Sequence, residues 1–206
     1  MKTALIWITP EAEKKILYIG RVSNPQNQES KNTGLIRYLI RNQHWSPFEM
    51  ANACFEIVTS RSITAQIVRH RSFSFQEFSQ RYSKASGYEK YEARRQDKSN
   101  RQSSIDDLDE GTKTDFNLAQ EYLWNYSNSL YCKALEDGIA KEQARFLLPM
   151  STTSRLYMNG TIRSWMHYIN LRTGNGTQKE HVDIAYSIRD QLVKELPVIA
   201  EALEWK

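Results

Sequence analysis

Cysteine, long apolar runs and excess charge are all scarce in this chain, and each scarcity removes a class of protein. There are two cysteines in 206 residues, Cys54 and Cys132. They form no CxxC pair and neighbour no cluster of metal-ligating residues, so no metal site is expected. Without a secretion signal, the expectation is a cytoplasmic protein with free thiols, each packed as a small core residue. Apolar runs such as Phe146-Leu147-Leu148 are far too short to cross a bilayer, so no membrane partner is expected. The opening Met1-Lys2-Thr3-Ala4-Leu5-Ile6-Trp7-Ile8 has one basic residue, no small-residue cleavage site, and leads into Pro10 and Glu11. It reads as a first strand and not as a signal peptide. The net charge of +4 is a mild excess, not the footprint of a protein that coats nucleic acid. No GxGxxG follows a predicted strand, so the usual dinucleotide-binding βαβ unit is absent.

What is present suits a soluble globular protein: 40% hydrophobic and 25% charged residues, over a length that fits one domain. Residues 3–9 read as a short strand, and β-branched and aromatic content predicts another over 51–59. Helical spacing predicts helices over 11–20, 33–42 (with Leu35, Ile36, Leu39 and Ile40 on one stripe), 62–70, 140–148, 160–172 and 178–195. Residues 73–82 read as mostly extended, and 151–158 as either strand or loop. From 114 onward Phe116, Ala119, Tyr122, Leu123, Tyr126 and Leu130 recur at helix spacing and are expected to face the core. Residues 84–113 are rich in Lys, Arg, Ser, Asp and Gln, and read as a polar surface loop or flexible insertion. The sum is a mixed α/β protein: a single domain over 1–206, with one modest sheet and several helices.

Arginine placement says more than net charge. Arg69, Arg71 and Arg81 crowd one stretch, and Arg145, Arg155, Arg163 and Arg172 another. Guanidinium groups grip phosphate and planar oxyanions through paired hydrogen bonds, so an anionic ligand is expected. On a helix over 62–70, Gln66 lies one turn before Arg69 and His70 and shares their face. If 77–81 is extended, Glu77, Ser79 and Arg81 point the same way. A solvated basic helix end, with Glu77 and Arg81 as a weak surface pair, is the bland alternative. In the late helix, Ile162, Trp165, Met166 and Ile169 mark a buried face, while Arg163, His167 and Asn170 recur on another.

The stretch Arg69-His70-Arg71-Ser72-Phe73-Ser74-Phe75-Gln76-Glu77-Phe78-Ser79-Gln80-Arg81-Tyr82 resembles the RHRxxSxNxxSxRY signature of the flavin-dependent thymidylate synthases. Arg69, His70, Arg71, Ser74, Ser79, Arg81 and Tyr82 match, and Gln76 stands where the family has Asn. Gly20-Arg21-Val22-Ser23, His44-Trp45-Ser46-Pro47-Phe48-Glu49, Ala144-Arg145-Phe146-Leu147-Leu148-Pro149 and Asn170-Leu171-Arg172 resemble further family segments. Met50 replaces a family histidine and Thr161 a family asparagine. The resemblance runs from about residue 20 to 195, leaving out 84–113.

That resemblance implies an α+β fold with a small mixed or antiparallel sheet. It also implies an enzyme that methylates dUMP to dTMP with methylenetetrahydrofolate as carbon donor and NADPH-reduced FAD as hydride source. By resemblance, dUMP would be held by Gln66, Arg69, Glu77, Phe78, Ser79, Gln80, Arg81, Arg145 and Arg172, with Arg81 or Arg145 at the phosphate and Arg172 at the pyrimidine. FAD would be contacted by Ser23, His44, Ser46, Arg69, His70, Arg71, Ser72, Gln76, Glu77, Thr161, Arg163 and His167, and His44 could equally neighbour the folate. Arg172, Ser79 and Arg69 are the implied catalytic residues, Ser79 as a hydrogen-bonding group because no adjacent base would make it a nucleophile. The family assembles as homotetramers with active sites between subunits. Two other readings stand beside this one: a nucleic-acid-binding protein that uses its basic and aromatic residues, and a flavoprotein of the same fold without methyl transfer.

Overall fold

The computed structural model describes residues 1–205. Along the chain come β1 (Lys2–Ile8), α1 (Ala12–Gly20), α2 (Gly34–Arg41), β2 (Asn52–Ser60), α3 (Arg61–Ile67) and β3 (Ser74–Glu77). A short hairpin, β4 (Arg95–Gln96) and β5 (Ser104–Ile105), precedes α4 (Glu110–Glu136) and α5 (Lys141–Ala144). Then follow β6 (Thr153–Thr161), α6 (Ile162–Arg172), α7 (Lys179–Glu195) and α8 (Pro197–Ala202). Four strands form one antiparallel sheet in the order β1-β2-β6-β3. The expected α+β class with a small antiparallel sheet is what forms, and the segment left open at 151–158 is an inner strand, β6.

Two strand-to-helix junctions organise the molecule. β2 runs into α3 at Ser60, whose side chain accepts from Ile63 N–H, and β6 runs into α6 at Thr161, whose side chain accepts from Ser164 N–H. Hydroxyl N-caps satisfy helix donors that would otherwise have no partner. Because β2 and β6 are antiparallel, the two helices start at opposite ends of the sheet. Trp165 of α6 packs edge-on to Phe55 and Phe73 at centroid distances of 4.9 and 4.7 Å, and donates its ring N–H to Ala53 O at 3.0 Å. Phe73 lies so close over Gly160 that an added Cβ there would meet its ring at 2.4 Å. Only glycine lets that ring sit down on the strand. The expected stripe of Ile162, Trp165, Met166 and Ile169 is buried.

At the outer edge, β1 carries a register shift between Leu5 and Trp7. Gln191 of α7 accepts from Leu5 N–H at 2.8 Å and donates to the Thr3 hydroxyl at 2.8 Å, so backbone at the edge finds a partner.

Three expectations need correction. Residues 73–82 are extended only over β3; Gln80, Arg81 and Tyr82 lie in a turn, where Arg81 N–H donates to Ser79 Oγ at 3.3 Å. The α4 stripe does not face the core: Phe116, Tyr122, Leu123, Tyr126 and Leu130 are all exposed, Tyr122 by 73%. Only Ser127, Tyr131 and Ala134 of that helix are buried, the last two in a satellite cluster with Ala85 and Ala144. Periodicity reported the stripe correctly but could not say what covers it.

The third correction concerns where 84–113 ends; the segment itself is mostly surface loop, as one alternative had it, and is fastened at many points. Glu89 accepts from Ser60 N–H and the Thr59 hydroxyl, the Tyr91 hydroxyl bonds Ser60, and the Gln120 amide of α4 pairs both ways with the Tyr91 backbone. Tyr88 stacks on Trp124 at 5.1 Å. The helix after this segment begins at Glu110, capped by Asp109, and not at 114.

Candidate active site

α3 and α6 bring the first group of predicted residues together. Helix α3 stops at Ile67, so Arg69 and His70 lie just beyond it and not on its face with Gln66 as expected. Gln66 and His70 nonetheless meet around His181 of α7. The His70 and His181 rings are 6.2 Å apart, and Gln66 Oε1 lies 3.4 Å from His181 Nδ1. Arg172, the last residue of α6, donates from Nε to His70 Nε2 at 2.8 Å. Among the described residues, neither Nη of Arg172 has a hydrogen-bond partner, and Arg69 and Arg71 are exposed and unpaired. Burial, and then the positive charge of Arg69, hold the Arg172 guanidinium below its ordinary pKa. The site therefore gathers positive charge with no protein anion to balance it.

The imidazoles beside this charge are neutral. Burial first, then Arg172, lowers His70 from 6.5 to about 4; burial, Arg172 and His70 lower the fully buried His181 to about 3. Tyr168, also buried, bonds His181 at 3.0 Å, and burial raises its phenol well above the ordinary value. The unfolded chain would take up protons on these histidines first as pH falls, so stability rises with pH between the folded and unfolded values. The ligand-free protein should keep its full contribution above about pH 6.5 and lose it on acidification toward about 4 and then 3. Each group adds a slope of at most about 1.4 kcal/mol per pH unit, less for the half-exposed His70. Urea midpoints measured from about pH 7 down to 4.5 check this; a flat profile would exclude buried neutral imidazoles.

A second group gathers where the β3 turn meets α5. Glu77 accepts from Arg61 at 3.1 Å and from the Ser154 hydroxyl at 2.8 Å, so it is not the surface partner of Arg81. Arg81 pairs with Glu142 at 3.1 Å, and Arg145 donates to Glu142 O at 3.1 Å. Phe78 and Ser79 are half-buried. Gln80 is buried, and its Nε2 has no partner among the described residues, an orphaned donor awaiting an acceptor. Glu77, Ser79 and Arg81 thus do not project from one extended strand as expected.

The third group spreads along the exposed side of α6. Arg163 pairs with Glu49, and His167 packs edge-on to Trp45 at 4.9 Å, with burial and then Arg163 lowering its pKa. Thr161 is spent as the α6 cap, and Ser72 O accepts from the Ser164 hydroxyl. His44 stands edge-on to Tyr38, and Ser46 opens the short 3-10 turn Ser46–Met50. Ser23, His44, Ser46, Arg71, Ser72, Gln76 and His167 are all exposed. These side chains supply hydroxyl, imidazole and guanidinium donors, a set that suits the diphosphate and planar ring of a flavin dinucleotide.

A cleft of 1020 Å³ lies elsewhere, between 91–104, α4 and the start of α7. None of Arg69, Arg71, Arg81, Arg145 or Arg172 lines it. Reading the sequence also missed Tyr168, Gln178, Glu180 and His181. The signal was there for His181: it occupies the helical stripe continued by Ile184, Ala185, Ile188 and Leu192, where a polar side chain must find a partner inside.

A small antiparallel sheet whose helices bring arginines beside neutral histidines defines an α+β protein without a βαβ nucleotide unit. Over residues 4–198 the sequence matches the thymidylate synthase complementing protein family, and the chain belongs to it. It is 54% identical over 193 residues to the flavin-dependent thymidylate synthase of Synechocystis sp., covering 94% of this chain and 90% of that one. It is 54% identical over 199 residues to a probable flavin-dependent thymidylate synthase of Paramecium bursaria Chlorella virus 1, covering 94% and 91%. Its fold resembles that of the UMP/dUMP methylase PolB from Streptomyces cacaoi, solved with 5-Br dUMP. The TM-score is 0.88 at 26% identity, covering 98% of this chain and 94% of that one.

Proposed function

We propose that this chain is a flavin-dependent thymidylate synthase, an enzyme that methylates dUMP to dTMP. The observation that carries this reading is the guanidinium of Arg172, anchored through Nε to His70 with both Nη groups unspent beside the unpaired Arg69. Such an arrangement offers a pair of donors to a flat anion. The Nη groups of Arg172 stabilise negative charge developing on a pyrimidine carbonyl oxygen. Gln66 hydrogen-bonds the base edge, and Arg69 lies between nucleotide and flavin. Arg81 and Arg145, already close to Glu142, meet the phosphate, and Glu77, Phe78, Ser79 and Gln80 complete the nucleotide site.

Neither thiol is placed to act as a nucleophile. Cys54 is buried on β2, where burial raises its pKa, and Cys132 packs against the satellite cluster. Ser79 has its Oγ facing the Arg81 N–H and no base beside it. When bound and reduced by NADPH, FAD would supply the hydride that turns a methylene from methylenetetrahydrofolate into a methyl group. Ser23, His44, Ser46, His70, Arg71, Ser72, Gln76, Thr161, Arg163 and His167 would hold the flavin.

The exposed donors, the two separate arginine groups and the uncovered α4 stripe support assembly as a homotetramer, in which neighbouring copies complete each site. Free thiols suit a reducing cytoplasm. No helix among the described residues is long and apolar enough to cross a membrane.

The purified protein should be yellow and should release tritium from [5-³H]dUMP only when methylenetetrahydrofolate and NADPH are both present. A yellow protein without tritium release would instead be a flavoprotein lacking methyl transfer. A colourless one with salt-sensitive nucleic-acid binding would overturn the reading altogether.

A further inference from the structure

A continuous run of hydrogen bonds joins the polar segment to the arginine site. Arg94 Nη2 donates to Glu180 Oε1 at 2.8 Å, and both side chains are almost fully enclosed, at 12% and 9% exposure. Gln178 Nε2 donates to the other carboxylate oxygen, Glu180 Oε2, at 2.8 Å. Gln66 Nε2 donates to Gln178 Oε1 at 2.7 Å, and Gln66 Oε1 faces His181 Nδ1 at 3.4 Å. His181 Nε2 meets the Tyr168 hydroxyl at 3.0 Å.

The run has only one consistent direction. Arginine can only donate, and a carboxylate facing it can only accept. Gln178 must therefore turn its NH₂ to Glu180 and its oxygen to Gln66. Gln66 must then turn its NH₂ to Gln178 and its oxygen to His181. A reversed Gln66 would set its oxygen against the Gln178 oxygen, two acceptors with no proton between them. His181 accordingly carries a proton on Nδ1 and, in the neutral state its burial favours, accepts from Tyr168 at Nε2.

We propose that Arg94 and Glu180 are positioning residues for pyrimidine recognition, fixing through Gln178 which end of the Gln66 amide faces His181 and so the donor and acceptor it holds out to the base. This rests on the reading that Gln66 contacts the pyrimidine. Uracil and cytosine differ by an interchange of donor and acceptor at N3 and at the exocyclic position 4. An amide locked in one sense matches one pattern and opposes the other, whereas an amide free to turn matches both. The device selects uracil nucleotides over cytosine nucleotides from a distance of several side chains, and it gives the 84–113 segment a part in specificity.

The test compares Kd for dUMP and dCMP by titration calorimetry on the flavin-loaded protein, with flavin absorbance and thermal midpoint as controls. Glu180→Gln removes the fixed acceptor and should lower the dUMP-over-dCMP preference by about tenfold, the worth of one charge-assisted hydrogen bond. Arg94→Lys keeps the charge and should keep most of the preference. Gln178→Leu cuts the run at an exposed residue that makes no cap bond to α7, so it folds even if Glu180→Gln does not, and it should lower the preference in the same way. A purely structural role would weaken both nucleotides equally and leave the ratio unchanged. Unchanged ratios in Glu180→Gln and Gln178→Leu, or in Gln178→Leu alone if the former does not fold, would overturn the proposal. Gln66→Ala separates the two levels of argument. If it binds both nucleotides like the parent, the contact reading is wrong; if it loses the preference while the other variants keep it, only the positioning role is wrong.

Discussion

Arg172→Ala should leave FAD bound and abolish dTMP formation. The side chain is held by Nε to His70, so its Nη groups are presented without the freedom to swing away, and charge fixed in place before reaction is worth more than charge that must be recruited. Removing one such stabilising donor costs at least about a hundredfold in kcat, and the neighbouring exposed Arg69 has no bond to His70 that would hold it in the same place. The flavin-facing residues proposed along α6 and the Ser46–Met50 turn are untouched by the change, so the visible absorbance should persist. Arg172→Lys is a sharper version: a lysine keeps the charge but cannot bond His70 and offer a planar pair of donors at once. It should recover little of the lost rate. Normal turnover in the alanine variant with flavin retained would count directly against the assignment.

Glutamates at Tyr122 and Tyr126 should break the proposed homotetramer and silence the enzyme together. These rings stack in parallel at 6.2 Å, one helical turn apart, and are 73% and 57% exposed, with Leu118 at 60% beside them. Apolar exposure of this kind along one helix marks a contact face. Two carboxylates one turn apart repel each other and resist desolvation, so a partner helix should no longer seat there. The buried side of α4, with Tyr131 accepting from Ala85 N–H at 3.2 Å, is undisturbed and should keep the protomer folded. Light scattering should then report a species smaller than four copies, with far-ultraviolet dichroism unchanged and tritium release lost. A double variant that remains a tetramer would move the interface elsewhere, and an active monomer would refute sites shared between copies.

The same helix shows what can be read from sequence and what cannot. Period and composition found α4, β1, β2 and α6, because each of these answers to a local rule: β-branched and apolar content in a strand, or a stripe at helical spacing. The buried stripe of α6 was legible for the same reason. The α4 stripe was legible as a pattern but not as a location, because a second copy and a core satisfy the same periodicity. The arginines were found individually from their chemistry and by family resemblance. Their grouping was not, since the β3 strand ends at Glu77 and the following turn sends Arg81 to Glu142. Residues 84–113 looked unstructured because their anchors are polar: Glu89, Tyr91 and Arg94 are held by carboxylate, hydroxyl and amide partners that lie far away in sequence. Composition counts such groups as solvent-seeking, and only the fold shows that they are spent.

The amide of Gln191 behaves toward the outer edge of the sheet as one residue of a fifth strand would, taking the Leu5 N–H and giving a proton back at Thr3. An incoming chain would have to evict it before the ladder could grow, and would then face the dislocation at Ile6. Fibrillar stacking along β1 is thereby discouraged even in concentrated solution. Loss of that one side chain, far from any nucleotide, should show first as a tendency to form thioflavin-positive aggregates and not as a change in rate.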